Sequence, residues 1–255
     1  MLESLSSAFA EISLLQLVLI AAMALVASVL GGVAGYGTGA LMPLVLVPIV
    51  GAEPVVPILS ISALFTNTSR AAAFWRLVDR RRALIVLVAA VPTCVLGAWG
   101  YTMLSGKGAA LVIGAMLVAS VPLRRLMRRR GLALSSRGLA AACFGWGPLA
   151  GGTVGAGIIL LSLLMAAGLE GAAVVATDAV ISIGIGLAKL TTFGLAGAVN
   201  ATVIAIALLI GGVAFPGAFL AKRLIERLPL HVHTAILDAV VIVGGAVMIA
   251  NAFVR

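Results

Sequence analysis

The sequence predicts an all-α polytopic membrane protein made of two homologous halves. Three observations carry that expectation. Apolar residues make up 63% of the 255-residue chain and charged residues only 10%. Two long glycine clusters each precede a short apolar run, and most arginines gather in a few short stretches. A soluble domain holds about 45–50% apolar and about 25% charged residues, so with a mean hydropathy of +1.26 this chain has too few charges to cover a water-facing surface. A soluble globule, a disordered chain and a disulfide scaffold are excluded together. The net charge of +9 would suggest nucleic acid in a soluble protein. In a membrane protein Lys and Arg collect on the cytoplasmic side and report threading, so no nucleic-acid partner is expected.

The elements follow from the apolar runs, because backbone exposed to lipid must be helical. The first run covers residues 14–33 and ends in Gly31-Gly32-Val33-Ala34-Gly35-Tyr36-Gly37-Thr38-Gly39. The run at 40–50 is too short to cross alone, since about 20 residues are needed. Runs at 54–75, 83–104 and 108–127 complete a first half, the first and last of them leading into arginines 76–82 and 124–130. The pattern then restarts: a run at 138–149, a second cluster Gly151-Gly152-Thr153-Val154-Gly155-Ala156-Gly157, a short run at 158–167, and longer runs at 171–193, 201–221 and 234–253. About eight full spans, or up to ten segments, are expected. Glu3 and Glu11 precede any Lys or Arg, the wrong charge for a cleavable leader.

The two halves, 1–130 and 131–255, share landmarks. Glu53 and Glu170 each precede the third run, and Gly97 corresponds to Gly217, with Lys107 and Arg227 equally far beyond. Internal duplication is common in secondary transporters. If each glycine-broken pair starts and ends on one face, the halves are inverted repeats. All Lys and Arg except Lys107, Lys189 and Arg255 then lie inside. If each pair is one long crossing, the halves are parallel and Lys222, Arg223 and Arg227 lie outside. The positive-inside rule favours inversion.

The stretch 31–43, with spaced glycines ahead of Pro43, the segment Ala72-Ala73-Phe74-Trp75-Arg76-Leu77-Val78-Asp79, and the segment 216–224 followed by Leu228-Pro229 resemble the sulfite exporter TauE/SafE family, also called the toluene-sulfonate uptake permease family. The resemblance covers nearly the whole chain. It implies transport of small sulfur-containing or carboxylate anions across the bacterial inner membrane. Leu77 stands where the family commonly has glycine before Val-Asp, and Thr153 and Val154 interrupt the second cluster.

The glycine clusters are the first candidates for function. Helix breaks at membrane depth would present free N–H groups and helix N-termini to an anion; the competing reading is close helix packing through small residues. The expected substrate contacts are Gly35, Gly37, Thr38, Gly39, Gly152, Thr153 and Gly155, joined by Asn67, Arg70 and Lys189. A charge within a span is costly and functional by default. Arg70 and Lys189 would guide an anion inward, or snorkel to the interface. Asp178 is read as a proton-coupling carboxylate, as the partner of a cation on another helix, or as a lumen-facing polar group; eleven residues separate it from Lys189 on one helix, so those two do not pair. Trp75, Trp99 and Tyr101 read as interfacial belt residues. His231 and His233 read as polar loop residues without further metal ligands, and Cys94 and Cys143 as small buried hydrophobes. The arginine run can also contact anionic lipid headgroups.

No catalytic nucleophile, metal centre or cofactor motif is visible. The expectation is a secondary transporter moving a small anion such as sulfite, thiosulfate, an organosulfonate or a small carboxylate by alternating access, not an enzyme. The alternative is a passive anion channel.

Overall fold

The structure is a computed structural model that describes residues 12–34, 38–129, 133–217 and 230–254. Among these, ten α-helices and no strand are found. They are α1 (Leu14–Ala34), α2 (Thr38–Val50), α3 (Val55–Phe74), α4 (Arg80–Thr102), α5 (Gly106–Arg129), α6 (Ser136–Gly152), α7 (Gly157–Ala166), α8 (Ala172–Leu195), α9 (Ala201–Ala214) and α10 (Leu230–Val254). A 3₁₀ turn, Trp75–Leu77, follows α3. Three helices are long and apolar enough to cross a membrane: α4, α5 through Met127, and α8. The chain is a helical membrane protein.

Most bounds fall within a few residues of the apolar runs, and the differences have physical causes. Helix α4 starts at Arg80, ahead of its apolar run, because Asp79 caps it by accepting from the Arg82 N–H at 2.9 Å. A carboxylate at the N-terminus offsets the helix dipole that three arginines oppose. His231 and His233 lie in the first turn of α10, not on a loop. Tyr101 is not a belt residue. It is 4% exposed, donates its hydroxyl to the Ala52 carbonyl at 2.7 Å and sets its ring edge-on to Phe193. Trp75 and Trp99 are exposed as expected, and both cysteines are buried and free.

Packing centres on α3 and α8, which run together through the middle. Helix α4 packs against α6 and α8, α9 against α1 and α3, and α5 against α10. The seam between α4 and α6 is backbone on backbone. A Cβ at Gly97 would collide with the Pro148 carbonyl, and one at Gly151 with the Cys94 carbonyl, so glycine there lets the helices approach closely.

A strap of polar contacts ties several elements together at the end of the molecule where the arginines of α4 lie. Arg82 binds the Asp79 carboxylate at 2.5 Å and donates to the Ala167 carbonyl beyond α7 at 2.6 Å. The Asp79 N–H donates to the Thr177 hydroxyl at 3.0 Å, and the Leu134 N–H to the Ala166 carbonyl at 2.7 Å. The Leu134–Ala166 bond ties the start of α6 to the end of α7, so the two ends of this helix pair lie together.

The Arg82 backbone N–H, with help from its guanidinium, holds the Asp79 carboxyl below the usual carboxylate range. A depressed carboxylate adds stability above its unfolded pKa and loses it as pH falls through the folded value. Asp79→Asn therefore lowers the melting temperature in detergent at neutral pH. The gap from the parent narrows below about pH 4, where unfolded aspartate protonates; a gap independent of pH would refute this role for the Asp79 charge.

Candidate functional site

The second glycine cluster divides into two parts with different jobs. Gly151 and Gly152 end α6 and face α4, where a Cβ on Gly152 would lie 3.0 Å from the Gly97 carbonyl oxygen. Here the close-packing reading applies. Thr153 then leaves the helix in extended conformation, and Gly155 takes φ +82°. That left-handed region costs other residues about 1–2 kcal/mol, so the chain breaks here and restarts as α7. The N–H groups of Val154, Gly155, Ala156 and Gly157 make no hydrogen bond with the described residues. They sit where a helix N-terminus binds anions.

Two side chains hold the break open. Lys189, on α8, is 7% exposed and donates from Nζ to the Ala150 carbonyl at 2.9 Å and the Thr153 carbonyl at 3.2 Å. It therefore does not snorkel; it takes the carbonyls that the end of α6 leaves without helical partners. Trp146 Nε1 donates to the Ala156 carbonyl at 2.9 Å, pinning the far side of the break.

The first cluster comes to the same place. Gly31 and Gly32 fall inside α1 and α2 begins at Thr38, while Gly35 and Gly37 lie outside the described residues. A Cβ on Gly39 would be 3.3 Å from the Gly155 nitrogen. The start of α2 and the break before α7 thus meet backbone to backbone.

Between them lies a cavity of about 140 Å³, lined by Thr38 and Gly39, by Ser60, Ala63 and Asn67 of α3, by Trp146 and Thr153 to Gly157, and by Ser182, Gly186 and Lys189 of α8. A single water needs about 10–15 Å³, so a small ion fits. The structure brings together Thr38, Gly39, Asn67, Thr153, Gly155 and Lys189. It places Gly152 in the α4–α6 seam instead. Arg70 and Asp178 lie one turn beyond the cavity lining and form a mutual ion pair at 3.6 Å; Arg70 also donates to the Asn67 side-chain oxygen.

Sequence reasoning did not place Ser60 and Ser182 in the site. Their signal is helical spacing: Ser60-Ala63-Asn67 on α3 and Ser182-Gly186-Lys189 on α8 each trace one face with small or polar residues in apolar helices. Among the described residues no cluster of His, Cys, Asp and Glu could hold a metal.

Helices that stop and restart around a polar cavity are the arrangement a membrane protein uses to hold a solute within its helices. The family model for the sulfite exporter TauE/SafE family matches residues 20–248, and the chain belongs to that family of membrane transporters. No curated protein and no solved structure matches the chain.

Gly155→Ala should lower the melting temperature by the equivalent of about 1–2 kcal/mol. Gly157→Ala, in helical conformation with open space around it, should be neutral or stabilising by about 0.5–1 kcal/mol. Equal effects of the two substitutions in a detergent melt would contradict the strained break.

Proposed function

We propose that this protein is a secondary transporter of a small anion of the sulfite type, working by alternating access in the bacterial inner membrane. One observation carries the reading: the Lys189 ammonium is buried in a cavity and has no carboxylate within ion-pair distance among the described residues. A buried unpaired cation is costly, and an anion in the cavity relieves that cost. Two of the three Lys189 N–H bonds are spent on the Ala150 and Thr153 carbonyls, which leaves one for the anion. The free N–H groups of residues 154–157, the Asn67 amide, and the Thr38 and Ser182 hydroxyls supply further donors. Sulfite, thiosulfate, organosulfonates and small carboxylates present several acceptor oxygens at this scale.

The repeat reading has support in the packing. Exchanging α1–α5 for α6–α10 turns the α4–α6 contact into α9–α1, α4–α8 into α9–α3, and α5–α7 into α10–α2, while α3–α8 and α5–α10 map onto themselves. The same shift in numbering that carries Gly97 onto Gly217 carries Ser28 onto Pro148. Gly97 abuts Pro148 as Gly217 abuts Ser28. The Leu134–Ala166 bond favours a hairpin with both ends on the cytoplasmic, arginine-rich face. In this reading the two halves are inverted, a construction that alternating access by rocking repeats can use. Asp178 is the proposed proton carrier, being 2% exposed with Oδ1 unpartnered among the described residues.

The test of binding is anion-dependent thermal stabilisation in detergent, with sulfite, thiosulfate, methanesulfonate and acetate as probes. At a hundredfold excess over Kd the gain is about 2.7 kcal/mol, and Lys189→Gln should abolish it. No response to any of these anions would overturn the proposed site.

The test of coupling is anion flux in vesicles under an imposed pH gradient. The parent should move the anion against its own gradient, which a passive channel cannot do, and Asp178→Asn should lose that drive. An unchanged response would remove Asp178 from coupling.

A further inference from the structure

The cavity has two unlike ends. Toward the arginine-rich face, α3 runs from Ser60 through Asn67 to Arg70 and on to the Trp75–Leu77 turn. The antiparallel α8 runs from Lys189 back through Ser182 to Asp178 and Thr177. Arg70 and Asp178 face each other across this helix pair one turn below the lining, Nη1 to Oδ2 at 3.6 Å, with side chains 14% and 3% exposed. Below them, at the same face, the Asp79 N–H donates to the Thr177 hydroxyl and Arg82 to the Ala167 carbonyl.

The other end is built differently. One turn from Ser60, Pro57 already lines a second cavity of about 370 Å³ shared with Glu53, Tyr101, Asn200 and Val203. Among the described residues no ion pair joins α3 to α8 at that end.

We propose that the Arg70–Asp178 pair is the gate that shuts the anion cavity from the arginine-rich face, and that this structure shows it closed. The pair suits a gate for physical reasons. It bridges the two helices that form the cavity walls, so separating α3 from α8 at this end must break it. It conceals opposite charges from one another, so it presents no net charge to an anion while shut. Once parted, Arg70 becomes a cation on the path of the departing or arriving anion. Asn67 connects the gate to the site, because its side chain lines the cavity while its oxygen accepts from Arg70. A ligand that reorients the Asn67 amide withdraws one of the bonds that hold Arg70 in place.

This inference rests on the proposed anion cavity, but its test reads access rather than transport. Ser182→Cys places a thiol in the cavity lining, while the native Cys94 and Cys143 are buried and serve as background. A membrane-impermeant cationic methanethiosulfonate is applied to the arginine-rich face in everted vesicles and to the opposite face in right-side-out vesicles. With minor states held at about 0.1–10% of the population, opening the gate raises labelling from the arginine-rich face about tenfold or more. Asp178→Asn and Arg70→Gln should both do so, with labelling from the opposite face no faster than in the parent. Where either chain fails to reach the membrane, Arg70→Lys, which keeps the charge but loses the planar fork, should raise the same rate. Unchanged labelling from the arginine-rich face overturns the gate. So does an equal rise from both faces, which marks general loosening. A chain that binds none of the four anions in the melt yet opens on loss of the pair keeps this inference and loses the transport substrate.

Discussion

A helix that ends inside a bilayer leaves carbonyls and amides that neither water nor lipid can satisfy. Much of this protein's interior follows from ending α6 at such a place. The carbonyls of Ala150 and Thr153 take the Lys189 ammonium, and the Ala156 carbonyl takes the Trp146 indole. The amides of residues 154–157 donate to none of the described residues, and in the proposed reading they meet the anion. Under the proposed function a structural need and a binding need are met by one arrangement, because the cation that repairs the carbonyl end is also the one an anion would seek. Burying Lys189 requires α8 to lie along the break, and α8 in turn fixes α3, its antiparallel partner.

Charge is distributed along α3 and α8 by depth. At the level of the cavity the cation has no carboxylate among the described residues. One turn nearer the arginine-rich face, a cation and a carboxylate cancel. Beyond that, Asp79 and Arg82 sit at the half-exposed surface and act on helix ends. Coulomb interactions strengthen as the surroundings lose water, so the same residue types do unlike work at each level. Glu53 adds a carboxylate to the second cavity, which Pro57 also lines one turn of α3 beyond Ser60.

Much of this was legible in the sequence and part was not, for definable reasons. Apolar runs marked the helices because lipid imposes helicity on them. They misplaced the start of α4, where Asp79 capping outweighs the polarity of Arg80 to Arg82. The glycine clusters marked where helices break, but composition could not tell Gly151 and Gly152, which give α4 room, from Gly155, which bends the chain. That difference lies in φ and in what stands opposite. Tyr101 carries the amphipathic ring of a belt residue, and only the Ala52 carbonyl facing it shows that it is interior. For Asp178 the sequence left three roles open: proton carrier, partner of a cation on another helix, or lumen-facing polar group. The partner is Arg70, more than a hundred residues away, and that pairing depends on the register of α3 against α8.

The seam between α4 and α6 deserves a mechanical reading. Where side chains separate two helices, rotamers can shift and let the helices slide by small steps. At Gly97 and Gly151 main chain meets main chain, and nothing there can rearrange short of parting. Such a joint transmits displacement like a weld, so α4 and α6 travel as one piece in any conformational cycle. The strap from Arg82 to Ala167 and the tie from Leu134 to Ala166 bind α7 into that same piece. In the proposed cycle, relative movement is thereby directed to the α3–α8 line, where an ion pair can part and re-form.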